Sequence, residues 1–196
     1  FFDLRSETFT GSNVYGITLL TIQARVAKTP RSPSIVARLI KFSMRILIAA
    51  IGRFRDGPEY DLYQNYIKRS RWPIDLREFE TKKKLTVPAR KKIEESLLVK
   101  IIPKAAVVVV LDETGMNLSS ISLAKTIGEW QTEGRSTVTF LIGGPDGITD
   151  ALRQRADLLL SLGAATWPHL LVRPLLAEQL YRAETILTGH PYHRRG

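Results

Sequence analysis

Two uninterrupted runs constrain the fold of this chain more than any other feature: AAVVVVL at residues 105–111 and VTFLI at residues 138–142. A strand with one wet face alternates apolar and polar side chains. Runs without that alternation belong to strands covered on both faces, as in a parallel sheet between two layers of helices. Each run is shorter than an ordinary helix and stops at turn residues, Asp112-Glu113-Thr114-Gly115 after the first and Gly143-Gly144-Pro145 after the second. Glycine has no Cβ, so backbone at residues 143–147 can approach a bound molecule. In open α/β sheets ligands sit in loops at the carboxyl ends of strands. Taken alone, the stretch fits an ordinary strand-to-helix turn better.

From Met44 onward the elements alternate. Residues 45–51 read as a strand ending at Gly52, and 59–70 as a helix with Tyr60, Tyr63 and Ile67 on one face, ended by Trp72-Pro73. Residues 74–80 form a second strand, and a basic loop with Lys82, Lys83 and Lys84 leads to a helix with Ile93, Leu97 and Ile101 at helical spacing. After the 105–111 strand, Ser119 or Ser120 caps a helix that turns Leu123, Ile127 and Trp130 inward and closes at Gly134. A short helix at 149–155, a strand at 157–162 and a loop at 163–168 follow the 138–142 strand. The last helix, 169–187, buries Leu176, Leu180, Ala183 and Leu187 and stops at Gly189. Pro174 falls inside it, where an interior proline costs about 3 kcal/mol, so the helix is expected to start late or kink. The expected class is α/β, a mostly parallel sheet flanked by helices.

Residues 1–43 read differently, with scattered Ser and Thr and a TPRSPS segment at 29–34. We expect a disordered basic extension, with a short helix at 34–42, in front of a domain spanning 44–196. Its Arg-rich, Ser-rich, acid-poor composition also resembles a transit peptide, whereas Met44 at the head of a strand suggests sequence upstream of a natural start. Of 29 basic and 19 acidic residues, six and two lie in this extension, which leaves the remainder at 23 against 17. The domain is therefore basic in its own right, and polyanions such as nucleic acid are the simplest partners for a net charge of +10. No apolar stretch reaches the roughly 18 to 20 residues of a membrane span. The absence of cysteine removes disulfides and thiolate metal sites, which suits a reducing cytosol.

Common catalytic signatures, GxGxxG, GxxxxGK, GxSxG and HExxH, do not occur. His169, His190 and His193 share no helix face with a carboxylate at ligand spacing, so we expect no metal. Asp112 and Glu113 are adjacent on a strand end and point to opposite sides, which makes them poor partners for acid–base work. Lys82, Lys83 and Lys84 read as a solvated loop or, more sharply, as phosphate contacts. Three segments, 111–115, 143–147 and 162–168, follow strands and open on one edge of the sheet. Small, apolar and glycine-rich, they suit an adenine and a ribose better than a triphosphate. The tail, GHPYHRR at 189–195, is either a frayed basic end or a segment aimed by Pro191.

FLIGGPDG at 140–147, SLGAATWPHLLVR at 161–173, AEQLYRA at 177–183 and GHPYHR at 189–194 together resemble the SPOUT-superfamily methyltransferases that modify N3 of a pseudouridine in bacterial large-subunit ribosomal RNA. The likeness covers residue 44 to the end. It implies a carboxyl-terminal trefoil knot, a cytoplasmic homodimer whose site is completed by the partner protomer, S-adenosyl-L-methionine as cofactor, and large-subunit rRNA, in the assembled ribosome, as substrate. The matching positions imply cofactor contacts from Leu111, Gly143, Leu162, Gly163, Ala164, Ala165, Thr166 and Trp167. His169, Glu178, Tyr181 and Arg182 correspond to the helix side of the knot, and Tyr192, His193 and Arg194 to a catalytic tail in which His193 or Arg194 favours the deprotonated ring nitrogen. Arg53, Arg55 and the lysine loop would meet phosphates. Family members usually carry serine where Gly163 stands and a larger residue at Ala164, a departure that fits a looser loop. Two rival readings stay open: a ribosome-binding protein of this fold without catalysis, and a generic monomeric nucleotide-binding domain.

Overall fold

The computed structural model describes residues 44–81 and 84–193. The expectations for residues 1–43, for Lys82 and Lys83, and for Arg194 lie outside the described residues. Within them, strands and helices alternate as β1 (Arg45–Ile51), α1 (Pro58–Arg69), β2 (Ile74–Phe79), α2 (Val87–Lys100), β3 (Val107–Asn117), α3 (Ser120–Thr132), β4 (Thr137–Ile142), α4 (Asp150–Arg155), β5 (Leu158–Ser161) and α5 (His169–Thr188). The strands form one sheet in the order β2-β1-β4-β3-β5, with every pairing parallel.

Strand side chains alternate between two cores, as a period of two requires. Ile46, Ile48, Ala50, Val107, Val109, Val138 and Phe140 face Tyr63 of α1, Leu123 and Ile127 of α3, and Leu176, Leu180 and Ala183 of α5. Ala49, Ile51, Val108, Val110 and Leu141 face Leu98 of α2 and Leu152 of α4. This is why β1, β3 and β4 read as continuous apolar runs. Phe140 is fully buried, and a ring of that kind contributes about 1.5–3 kcal/mol. Ser119 caps α3 by accepting from Ser122 N, and Thr149 caps α4 by accepting from Leu152 N.

Three expectations change. The segment after Leu111 is not a free loop: β3 continues to Asn117, and its register to β5 shifts between Leu111 and Met116, both of which pair with Leu160. Residues 112–115 are the resulting bulge. Gly115 permits it, since a Cβ there would stand 2.7 Å from the Leu159 backbone. In α2 the buried face carries Glu94 and Leu98, while Ile93 is 42% exposed. The helical period was legible, but its phase was set one residue away because a buried carboxylate is not visible as core. Finally, α5 runs unbroken from His169 with Pro174 buried inside it. The proline sits in the second turn, so the ladder loses one bond to the carbonyl of Leu170, a residue at the exposed end of the helix.

Candidate functional site

A cavity of about 410 Å³ opens at the carboxyl ends of β3, β4 and β5. Ligand sites of ordinary size begin near 300 Å³. Its wall joins Leu111, Asp112 and Glu113 from β3, residues 142–148 after β4, and residues 160–163 and 165–167 from β5 and its loop. Arg153, His169 and Val172 complete it. Parallel pairing brings these segments together: β3 lies between β4 and β5, so strand ends distant in sequence share one rim.

Of the eight expected cofactor contacts, Leu111, Gly143, Leu162, Gly163, Ala165, Thr166 and Trp167 line the cavity, and Ala164 does not. Ala164 is exposed. Gly163 has φ +111°, a conformation that L side chains rarely adopt. Ser161 Oγ holds the turn by donating to Gly163 O at 3.0 Å and accepting from Gly163 N at 3.3 Å. The glycine therefore makes a turn of defined geometry. Trp167 Nε1 donates to Leu162 O at 3.1 Å and closes the same loop. Gly143 lines the cavity, and packing gives a second reason for its bareness. A Cβ there would meet Ile148 Cγ2 at 2.8 Å, so its bareness serves packing within the loop.

The loop after β4 is gripped from outside. Arg90 of α2 pairs with Asp146 through Nε at 2.6 Å, and Thr149 Oγ1 donates to Glu95 at 2.6 Å. On the cavity wall, Asp112 accepts from Thr114 N at 2.9 Å, Thr114 Oγ1 at 2.6 Å and Arg153 Nε at 3.0 Å. Burial pushes the Asp112 carboxyl up, but these three donors outweigh it and hold it below its ordinary value. His169 stands against Gly52, with Nε2 3.4 Å from Arg173 Nη2. Burial first, and Arg173 second, hold its pKa below the ordinary value, so the imidazole is neutral at pH 7. Arg173 itself is fully buried and donates through Nη2 to Ile51 O at 3.1 Å and Gly52 O at 2.7 Å, with Glu78 3.8 Å from its Nε. It ties α5 to the end of β1 beneath the cavity.

Arg153, Ile148, Ser161 and Val172 were not singled out as wall residues from the sequence. Arg153 carries the one recoverable signal, a basic residue in the short helix after the glycine loop. Tyr192 and His193 do not line this cavity. Tyr192 instead lies on the α1–α5 surface. Its ring is 4.8 Å from that of Tyr181, with the guanidinium carbons of Arg69 at 5.1 Å and Arg182 at 4.9 Å from its centroid. Its hydroxyl donates to Glu178 Oε1 at 3.2 Å. Burial, with Tyr66 and Glu178, pushes the phenol up to about 12. Glu178 also accepts from Arg182 Nε at 2.8 Å. Glu178, Tyr181 and Arg182 are thus brought together, around the tail and away from the cavity. Among the described residues no group of His, Asp and Glu is arranged to hold a metal ion, and no helix is long and apolar enough to cross a membrane.

The family described as "Predicted SPOUT methyltransferase" matches residues 44–193. Ribosomal RNA large subunit methyltransferase H of Paramagnetospirillum magneticum is 53% identical over 151 residues, 77% of this chain and 99% of that protein. The proteins of the same name from Rhodospirillum centenum and Paracoccus denitrificans are each 47% identical over 77% of this chain and 99% of their own length. This chain belongs to the SPOUT methyltransferase family.

Proposed function

We propose that the protein transfers a methyl group from S-adenosyl-L-methionine to N3 of a pseudouridine in large-subunit ribosomal RNA, as a cytoplasmic homodimer acting on the assembled ribosome. The observation that carries this reading is the cavity itself, walled by three strand-end segments in a chain half identical to proteins named for rRNA methylation. The residues present fit the cofactor. The wall offers bare backbone at residues 143 and 144, apolar side chains at Leu111, Ile142, Leu160 and Leu162, and carboxylates at Asp112 and Glu113.

When bound, the cofactor would supply the methyl group from a sulfonium, whose sulfur leaves as a neutral thioether. The backbone of residues 162–167 and 143–147 would hold it, with Trp167 closing its loop onto Leu162. Catalysis then rests on holding the ring nitrogen in line with the methyl group and favouring its deprotonated form. Neutral His169 and the Arg153–Asp112 pair keep the wall's charges fixed while this occurs. Tyr192 acts as an anchor: it pins the tail to α1 and α5, and in this reading His193 and Arg194 would serve the substrate bound by the partner protomer. Support for a composite site is that Tyr192 and His193 stand apart from their own cavity. Arg53, Arg55 and Lys84 are exposed and suited to phosphate contact, with recognition resting on RNA shape.

The trefoil knot belongs to the same reading. Its support is the path of the chain: β5 lies on the sheet edge beside β3, yet α5 returns to the end of β1, where Arg173 binds the carbonyls of Ile51 and Gly52. Residues 44–196 are the methyltransferase domain, and 1–43 an extension not needed for methylation. An inert binding protein finds no support, since Gly163 and Pro174, its only grounds, both sit without conflict in the fold. Ribosomes lacking the modification, incubated with the protein and labelled cofactor, should gain one methyl group on a large-subunit pseudouridine, read by mass spectrometry of the digested rRNA. No transfer to either whole ribosomes or free rRNA would reject the reading.

A further inference from the structure

Glu94 has no part in the reading above, and its position is costly. The residue is 4% exposed. Oε1 accepts from Thr81 Oγ1 at 2.8 Å, while Oε2 is buried without a hydrogen-bond partner. Leaving a buried carboxylate oxygen unpaired costs free energy, so a group of this kind invites a functional explanation. Arg90, one turn earlier on α2, is committed to Asp146, and the buried Arg173 to Glu78 and two carbonyls. Among the described residues none of the ion pairs includes Glu94.

The unpaired oxygen rests against the back of the cavity wall. Gly144 lines the cavity, and a Cβ built on it would stand 2.8 Å from Glu94 Oε2. Glycine at this position lets the carboxylate come up behind a wall one backbone thick. Its charge reaches the other side: it raises the proton affinity of His169, against the larger effects of burial and Arg173.

We infer that Glu94 supplies a fixed negative charge behind Gly144 that selects a cationic ligand over a neutral one in the cavity, the sulfonium cofactor over the thioether left after transfer. This rests on the methyltransferase reading. When the methyl group leaves, sulfur keeps the bonding electron pair and its positive charge disappears. The attraction to Glu94 disappears with it. In an interior of low effective dielectric, one charge acting across a single layer of backbone is enough to separate the two ligands. The device favours capture of fresh cofactor and release of the spent one.

Calorimetry on the full chain with S-adenosyl-L-methionine and S-adenosyl-L-homocysteine tests this. The parent should bind the sulfonium at least about fivefold more tightly than the thioether. Glu94→Gln, nearly isosteric, should lower that ratio at least about fivefold, mainly by weakening the sulfonium, and Thr81→Val should leave it near the parent value. Equal weakening of both ligands in Glu94→Gln would make Glu94 a support for the loop and overturn the inference, as would an unchanged ratio. Should Glu94→Gln fail to fold, a parent that binds the thioether as tightly as the sulfonium overturns it unaided. A parent that binds neither ligand instead refutes the methyltransferase reading.

Discussion

Gly52→Ala tests how the end of β1 supports the cavity. Gly52 has φ +88°, and a Cβ there would stand 2.8 Å from His169 Nε2 and 3.9 Å from Arg173 Nη2. Placing an L side chain in the left-handed region costs about 1–2 kcal/mol. The contact with His169 adds an overpacking cost of about 1–3 kcal/mol, because its Nε2, already 3.4 Å from Arg173 Nη2, must move to admit the methyl group. We expect a total loss of roughly 2–5 kcal/mol in urea unfolding, and, at about 2–4 °C per kcal/mol for a domain of this size, a Tm lower by roughly 4–20 °C. A double-mutant cycle separates the two parts: in a His169→Ala background the contact is gone, so Gly52→Ala should cost only the backbone share. The coupling energy should be about 1–3 kcal/mol. A Gly52→Ala loss below about 0.5 kcal/mol, or the same loss with and without His169, would refute the placement of His169 against β1.

Arg194→Lys should slow methylation of whole ribosomes at least about tenfold, or roughly 1.4 kcal/mol in the barrier, with cofactor affinity changed far less; a lysine as active as arginine would reduce the tail to spread positive charge. Asp112→Asn should remove an acid-dependent part of the stability. The Asp112 pKa is lowered in the fold, so its contribution is present above the unfolded carboxyl pKa and lost as pH falls through the folded one; parent and variant melting temperatures should therefore differ at pH 6 and converge towards pH 2–3. A constant gap would assign the effect to packing. A chain beginning at Met44 should keep both its Tm and its methylation rate, and a collapse of either would show that residues 1–43 pack on the domain.

The local rules of the chain determined much of this protein. Continuous apolar strands require cover on both faces, so β3 and β4 were legible as central strands of a parallel sheet, and turn chemistry marked Gly52, Gly134 and Gly189 as element ends. The loops at 143–147 and 162–168 followed from strand ends alone. Tertiary structure decided the rest, because it depended on partners far apart in sequence. Pairing with β5 extended β3 through residues 112–115 and turned an expected loop into a bulge. A hydrogen bond from Thr81 and the bare backbone of Gly144 let Glu94 occupy a core position, which no hydrophobic period can reveal. Two guanidiniums, one from α1 and one from α5, pack on Tyr192 and hold the tail away from its own cavity. Periodicity records which face of an element is dry, whereas the placement of a charge or a tail is a balance among contacts that only the folded chain brings together.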